Sequence, residues 1–525
     1  MRSIAAMILA TVFIVPSLCQ SASPEAIHSL TLKLDGWDVE RAWSEAKEGL
    51  VREPNHPQLL EMASQIAFYR GDYQEALRLV RSPIEKGEGD DKRKGFALLV
   101  EETIGVTKNF KRYESQHFLI SLDEKQDGIL AGYMVEAMEK TYRLMTKQYG
   151  FEPKEKIRIE VFPDAKAFYY ASTLSIRDIE VTGAVGLAKF NKLMILSPRA
   201  LVYGYRWLDA VSHEYMHYLI VKLTANKAPI WFHEGLAKFE ETRWRDGPSY
   251  LSPLYEALLA HGLANGKLID FERMEPSLVS LETPEDVQLA YAQAASAIEF
   301  IIARAGYQGV KQIMERMTVY SQGGASEPIR DVLGSTFGEF ETCWKEFLSK
   351  KRLKEMGGIH VHRYKVKEGR ADEDRLDMGE IKSMMARNRA HLGDLLKERG
   401  RVEAAALEYR RALADAGDSV PIMTRLSTLL IDLGRTQEAL EILKRARDLS
   451  PDHPTVYTRL GQVHIKLKDF KSARENFEAS IQINPFDPEV HQGLATASEM
   501  LGDSAAALKE REIVKKMEGL VTRTR

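Results

Sequence analysis

The sequence is poor in cysteine, with only Cys19 and Cys343 in 525 residues. A disulfide framework is therefore excluded as the source of stability, and so is a metal site built from cysteine thiolates. Long apolar runs are also lacking. The one notable stretch, Ile4 to Leu18, is interrupted by Pro16 and is shorter than the roughly 20 residues that cross a bilayer. It follows Met1-Arg2 and precedes the small residues Ser21, Ala22 and Ser23, the pattern of an export signal with its cleavage site. The expectation is a cleaved signal over 1–22, no membrane span afterwards, and work in the periplasm or outside the cell. Leu18 stands where lipid attachment at Cys19 would want a small residue, so an anchor there is not expected. The third lack is net charge: −3 over the whole chain gives no general pull toward nucleic acid or anionic membrane. What remains, 44% hydrophobic and 28% charged, is an ordinary globular composition, too long for one core.

The last third repeats itself. Leu392, Leu426, Leu460 and Leu494 are spaced 34 apart, as are Ala405, Ala439, Ala473 and Ala507. Gly400, Gly434 and Gly502 lie on the same lattice, and Pro451 and Pro485 close two of the units. Small residues at fixed places suit paired antiparallel helices, with alanine at the crossing, glycine ending the first helix and proline ending the second. These residues resemble the tetratricopeptide repeat, and the resemblance implies an all-α solenoid over 386–518. An echo lies near the start, where Gly71 to Leu77 parallels Gly434 to Leu440 and Ala42 precedes Ala76 by 34. About one and a half repeats are expected within a helical segment over 24–112, too few to stand alone, so this segment should pack on the neighbouring domain.

Between these regions the texture changes. Segments 117–122, 156–162 and 192–196 read as short strands. Segments 127–149, 205–222 and 231–244 read as helices, with further helices over about 250–350. Strands with a helix first and helices later describe an α+β domain over 113–355, a small mixed sheet followed by a mostly helical lobe. The charged, weakly periodic stretch 356–385 suits a linker.

Within this domain, His213-Glu214-Tyr215-Met216-His217 sits in an apolar helical pattern. Histidines four apart on a helix share a face, with Cβ atoms about 5–6 Å apart, which suits two nitrogens reaching one Zn²⁺. Glu214, one residue on, is rotated toward a metal-bound water and can move its proton. A catalytic zinc needs a third protein ligand and an open position. Trp231-Phe232-His233-Glu234-Gly235-Leu236-Ala237 offers one, with Pro229 turning the chain back and Gly235 allowing close approach to the metal. His233 neighbours Glu234 but points about 100° away on a helix, so it is read as a residue at the rim of the site or just behind the ligands.

This pairing resembles the gluzincin zinc metallopeptidases, and the Trp-Phe-x-Glu-Gly-x-Ala form is similar to the peptidase MA-like family found beside tetratricopeptide repeats. The resemblance covers about 113–350. It implies a zinc endopeptidase, with His213, His217 and Glu234 as ligands, Glu214 as base and a peptide or protein as substrate. In many gluzincins an acidic residue four after the glutamate ligand orients a histidine; here that position is Lys238. Asp209 and Glu241 are the alternatives for that role, each also readable as a surface or capping charge. Tyr291, in a segment resembling the family's Tyr-x-Gln-x-Ser, is the candidate donor to the transition state, with a core tyrosine as the plainer reading. Gly183 to Ala188, leading into 192–196, is either an edge strand that binds extended peptide or a hairpin without a substrate role. Tyr215 and Tyr218 are expected to pack. The repeats are expected to bind a protein partner or present substrate; the rival to a peptidase is a non-catalytic repeat scaffold carrying a peptidase-like domain.

Overall fold

The computed structural model describes residues 24–85, 90–172, 174, 176–189, 191–245, 250–278, 281–320, 324–355, 364–369 and 372–523. The signal expected over 1–22, with Cys19, lies outside them. Five helices come first: α1 (Pro24–Asp35), α2 (Val39–Arg52), α3 (Pro57–Tyr69), α4 (Tyr73–Pro83) and α5 (Asp91–Thr107). A five-stranded sheet comes next, made of β1 (Phe110–Glu114), β2 (Phe118–Asp123), β3 (Ile157–Phe162), β4 (Gly186–Lys189) and β5 (Lys192–Leu196). Its order is β1-β2-β3-β5-β4. The inner pairs β2–β3 and β3–β5 are parallel, and the outer pairs β1–β2 and β4–β5 are antiparallel. The sheet is therefore mixed, as expected. β1 is an addition to the expected strands, because Phe-Lys-Arg-Tyr-Glu buries neither face fully and so lacks the alternation that marks a strand.

Between strands run α6 (Glu124–Asp127), α7 (Leu130–Tyr149), α8 (Ala165–Ser172) and α9 (Ile176–Thr182). The helical lobe then comprises α10 (Trp207–Thr224), α11 (Ile230–Glu240), α12 (Pro253–Ala264), α13 (Pro284–Val319, broken at Gly306), α14 (Ser326–Leu333) and α15 (Phe337–Lys350). α10 contains neither proline nor glycine, which lets it run unbroken. It is apolar nearly all round because the sheet, α7, α11 and α13 all pack on it. Ala225 ends it in a left-handed turn, and Pro229 starts α11 running back along it. α11 is shorter than expected, stopping at Glu240 before a 3₁₀ turn at Arg243–Arg245.

The stretch expected as a linker is partly built. Val366 bridges Leu201 in β fashion, and α16 (Asp372–Glu380) packs on the repeats. Its order comes from tertiary partners, since Asp377 accepts from Tyr203 and lies 2.9 Å from the Arg425 guanidinium. The repeats form four hairpins, namely α17 (Met384–Glu398) with α18 (Val402–Ala416), α19 (Val420–Asp432) with α20 (Thr436–Leu449), α21 (Pro454–Lys466) with α22 (Phe470–Ile481), and α23 (Pro488–Met500) with α24 (Ser504–Arg523). All four lattice alanines are buried at the crossings. Among the described residues no helix is long and apolar enough to cross a membrane.

Both helical regions dock on the central domain. At the N-terminal dock, Lys192 Nζ donates to Tyr73 Oη at 2.7 Å, and Tyr73 donates to Glu160 at 2.6 Å. Lys192 and Glu160 form a buried ion pair at 3.4 Å beneath α4. At the C-terminal dock, the end of α22 meets the start of α10. Tyr205 N–H donates to Ile483 O at 3.0 Å, Trp207 N–H to Gln482 O at 3.2 Å, and Trp207 Nε1–H to Ile481 O at 3.1 Å. One helix end leaves carbonyls unpaired and the other leaves N–H groups unpaired, so each satisfies the other. Arg206 adds bonds to Asp452 at 2.6 Å and Pro451 O at 2.9 Å. Gly204 makes the approach possible: its φ is +79°, and a Cβ there would lie 2.3 Å from Ile483 O.

Candidate metal centre

α10 and α11 bring His213, His217 and Glu234 together as expected, with one ligand atom from each lying within 4.8 Å of the others. Glu234 Oε2 is 3.3 Å from His213 Nε2 and 3.5 Å from His217 Nε2. Tetrahedral coordination with ligand bonds near 2.0–2.1 Å places ligands about 3.3–3.4 Å apart, so the carboxylate oxygen stands from each histidine at close to the spacing a small cation requires. The rings of His213 and His217 are nearly perpendicular, with centroids 4.7 Å apart. The described residues contain no other group of three or more such side chains.

Charge is concentrated here. Burial disfavours a charged His213 ring, but hydrogen bonds to Glu234 and Glu241 outweigh it and raise the group to about 10. Burial likewise opposes ionisation of Glu234, yet the neighbouring His217, followed by hydrogen bonds from both histidines, holds it well below the usual carboxylate range. His233 lies with its ring 5.5 Å from that of His217 and outside the triad. Burial, then the adjacent His217, pulls it down to about 3, so it stays neutral. It stands beside the triad and not in it, as its position on the helix implies.

Glu214 is buried against β4. A Cβ on Gly186 would lie 2.5 Å from its Oε1, so glycine there is what lets the strand edge lie over the carboxylate. The Ala188 backbone hydrogen-bonds the same group. Burial raises the Glu214 carboxyl, with His217 and His213 pulling against it. The 183–188 segment is thus both a hairpin arm, paired with β5, and the outer edge of the sheet beside Glu214.

Tyr291, on α13, stands with its ring 6.4 Å from that of His213. Burial and the charge of Glu234 raise its hydroxyl well above the ordinary tyrosine value, keeping it a donor. Its neighbours in the motif are structural: Gln293 bonds both backbone groups of Ile269, and Ser296 accepts from Trp344 Nε1 at 2.9 Å. Tyr215 and Tyr218 pack in the core as expected.

Two readings are corrected. Gly235 does not face the metal ligands; a Cβ there would lie 2.5 Å from Ala294 O, so it serves the close packing of α11 on α13. Neither Asp209 nor Glu241 is a surface charge, although Glu241 does stand at the C-terminal cap of α11. Asp209 is buried and engaged away from the histidines, accepting from Arg245 at 2.8 and 2.6 Å and from Trp244 Nε1 at 3.0 Å. Glu241 is the one that reaches His213, with Oε2 3.2 Å from Nδ1. The signal for it was present in the sequence, since seven residues after Glu234 is two helical turns along the same face.

Residues 137–350 match the model of the Peptidase MA superfamily, and residues 396–458 and 430–497 match that of the tetratricopeptide repeat. The chain therefore carries a Peptidase MA superfamily domain, which contains the whole site, followed by repeats of a protein-interaction type. Comparison with curated proteins found no match. Among solved structures, MamA of AMB-1 is similar at 22% identity over 28% of this chain and 89% of that one, with a TM-score of 0.24. MamA from Desulfovibrio magneticus RS-1 is similar at 17% identity over 28% and 79%, TM-score 0.24. A thermophilic tetratricopeptide repeat protein of Thermus thermophilus is similar at 20% identity over 26% and 82%, TM-score 0.23.

Proposed function

We propose that this chain is an exported zinc-dependent metalloendopeptidase, in which His213, His217 and Glu234 hold the metal and Glu214 moves the proton. The observation that carries the reading is the convergence of two imidazole nitrogens and a carboxylate oxygen within 4.8 Å, beside a further buried carboxylate. When bound, zinc supplies Lewis acidity, lowering the pKa of a water toward about 7 and polarising a carbonyl. The donor set, two histidines and one carboxylate, suits zinc with a position left open.

The chain's own residues do the rest. Glu214 takes a proton from the attacking water and returns it to the departing amine. Its burial raises its affinity for that proton, with His217 and His213 pulling against it. Tyr291, kept protonated by its surroundings, donates to the oxyanion of the tetrahedral intermediate. The outer edge of β4 offers main-chain groups to an extended peptide laid beside Glu214. Export, resting on the sequence from Met1 to Ser23, and partner binding by the repeats belong to the same proposal.

The test is cleavage of a peptide library by the intact protein and its Glu214→Gln form, each with metal content measured. Zinc in both, with cleavage in the intact protein and lost in the variant, is the expected result. Equal cleavage by both would remove Glu214 from the mechanism; zinc in both with cleavage by neither would favour the scaffold reading.

A further inference from the structure

Two carboxylates divide the ring of His213 between them. Nε2 faces Glu234 Oε2 at 3.3 Å, the same oxygen that His217 Nε2 approaches at 3.5 Å. Nδ1 faces Glu241 Oε2 at 3.2 Å. A neutral imidazole offers a lone pair on one nitrogen only when the proton is on the other. For Nε2 to ligate a metal, the proton must sit on Nδ1, and Glu241 is the acceptor waiting there.

Glu241 is itself held. It caps the C-terminal end of α11, and its second oxygen, Oε1, lies 2.6 Å from Lys238 Nζ, one turn earlier on the same helix. Lys238 in turn lies over the Tyr255 ring, 5.2 Å from its centroid. Both side chains are largely buried. A lone carboxylate at that depth would be free to swing toward solvent or toward any other donor; the ammonium fixes one oxygen, which aims the other.

On the reading of His213 as a metal ligand, we propose that Glu241 and Lys238 form a positioning pair. Glu241 sets the tautomer and ring orientation of His213, and Lys238 acts only through Glu241. Neither touches the reacting atoms. Outer groups of this kind are worth about 10–100-fold in metal affinity, which defines the size of the effect sought.

The experiment is zinc affinity by chelator competition, together with thermal melting in excess chelator, on the full chain. Glu241→Ala is expected to weaken zinc binding by about 10–100-fold in the folded protein, with some loss of melting temperature in chelator because Lys238 loses its partner. Glu241→Gln, whose amide oxygen can still accept from Nδ1–H, should lose less. Lys238→Met should weaken binding in the native background but have no further effect in Glu241→Ala, because its route is gone. The pair is overturned if Glu241→Ala binds zinc as the native protein does, or if Lys238→Met weakens binding equally in both backgrounds. Should Glu241→Ala melt early, Glu241→Gln decides: a folded glutamine variant as weak as the alanine one rejects the acceptor role. Failure of the native protein and Glu214→Gln to take up zinc would defeat the metal reading itself, whereas zinc bound with equal affinity by both and by Glu241→Ala defeats the pair alone.

Discussion

Two helical regions flank the central domain, and they grip it in different ways. The N-terminal helices hold the sheet through side chains, the buried Lys192, Glu160 and Tyr73, and touch only the far end of α10, where Lys222 donates to Gly36 O and Trp37 O. The C-terminal repeats hold the start of α10 largely through their backbone, the carbonyls of Ile481, Gln482 and Ile483, with Arg206 adding a side-chain bond to Asp452. His213 lies six residues along α10 from Trp207, under two turns from that dock. Disturbance at the N-terminal dock should therefore register as lost stability, and disturbance at the C-terminal dock as lost stability together with a displaced ligand. The repeats then serve the site as well as any partner, and part of their surface is occupied by their own chain.

Three substitutions would break or sharpen this contrast. Lys192→Met strands Glu160 in the interior and should cost about 3–5 kcal/mol of unfolding free energy, with the folded protein binding zinc normally in a chelator competition. Gly204→Ala combines a strained positive φ with a clash against Ile483 O and should cost about 2–3 kcal/mol, read from denaturant unfolding. Unlike the first change, it should also weaken zinc binding several-fold. Gly71→Ala is its control at the other dock: φ is +76°, and the nearest atom to a Cβ, Glu160 Oε1, is 3.3 Å away. It should cost about 1–2 kcal/mol and leave zinc untouched. Equal zinc loss in both glycine variants would end the contrast.

A further effect is read by pH. With His213 raised to about 10, zinc must displace its proton throughout the neutral range. Affinity should then climb as pH rises, by up to about tenfold per unit for each proton released, and flatten near 10. Zinc titrations between pH 6 and 8 in the native protein and Gly204→Ala would show parallel slopes, the variant offset downward. A pH-independent affinity would mean that His213 gives up no proton on binding.

How much of this can be read from the chain depends on which groups do the work. The 34-residue lattice announces the repeats because each small residue at a helix crossing must recur, and His213, Glu214, His217 and Glu234 announce the candidate site because the proposed chemistry needs those side chains. The C-terminal dock is illegible for the opposite reason: every residue has a carbonyl, so nothing marks Ile481 to Ile483. α16 reads as linker because Asp372–Glu380 is polar nearly throughout, and its order comes from Arg425 and Tyr203, far away in sequence. Gly235 shows that something must come close but not what, and the visitor is α13. Glu241 stands at the right helical phase, yet only the fold separates it from Asp209, which Arg245 and Trp244 claim.

The most direct measurement is a calorimetric zinc titration of the chelator-stripped protein beside Glu234→Ala and Glu214→Gln. One zinc per chain is expected in the native protein and in Glu214→Gln, with binding lost or greatly weakened in Glu234→Ala. No saturable zinc binding by the native protein, or undiminished binding by Glu234→Ala, would contradict the assignment of the metal centre.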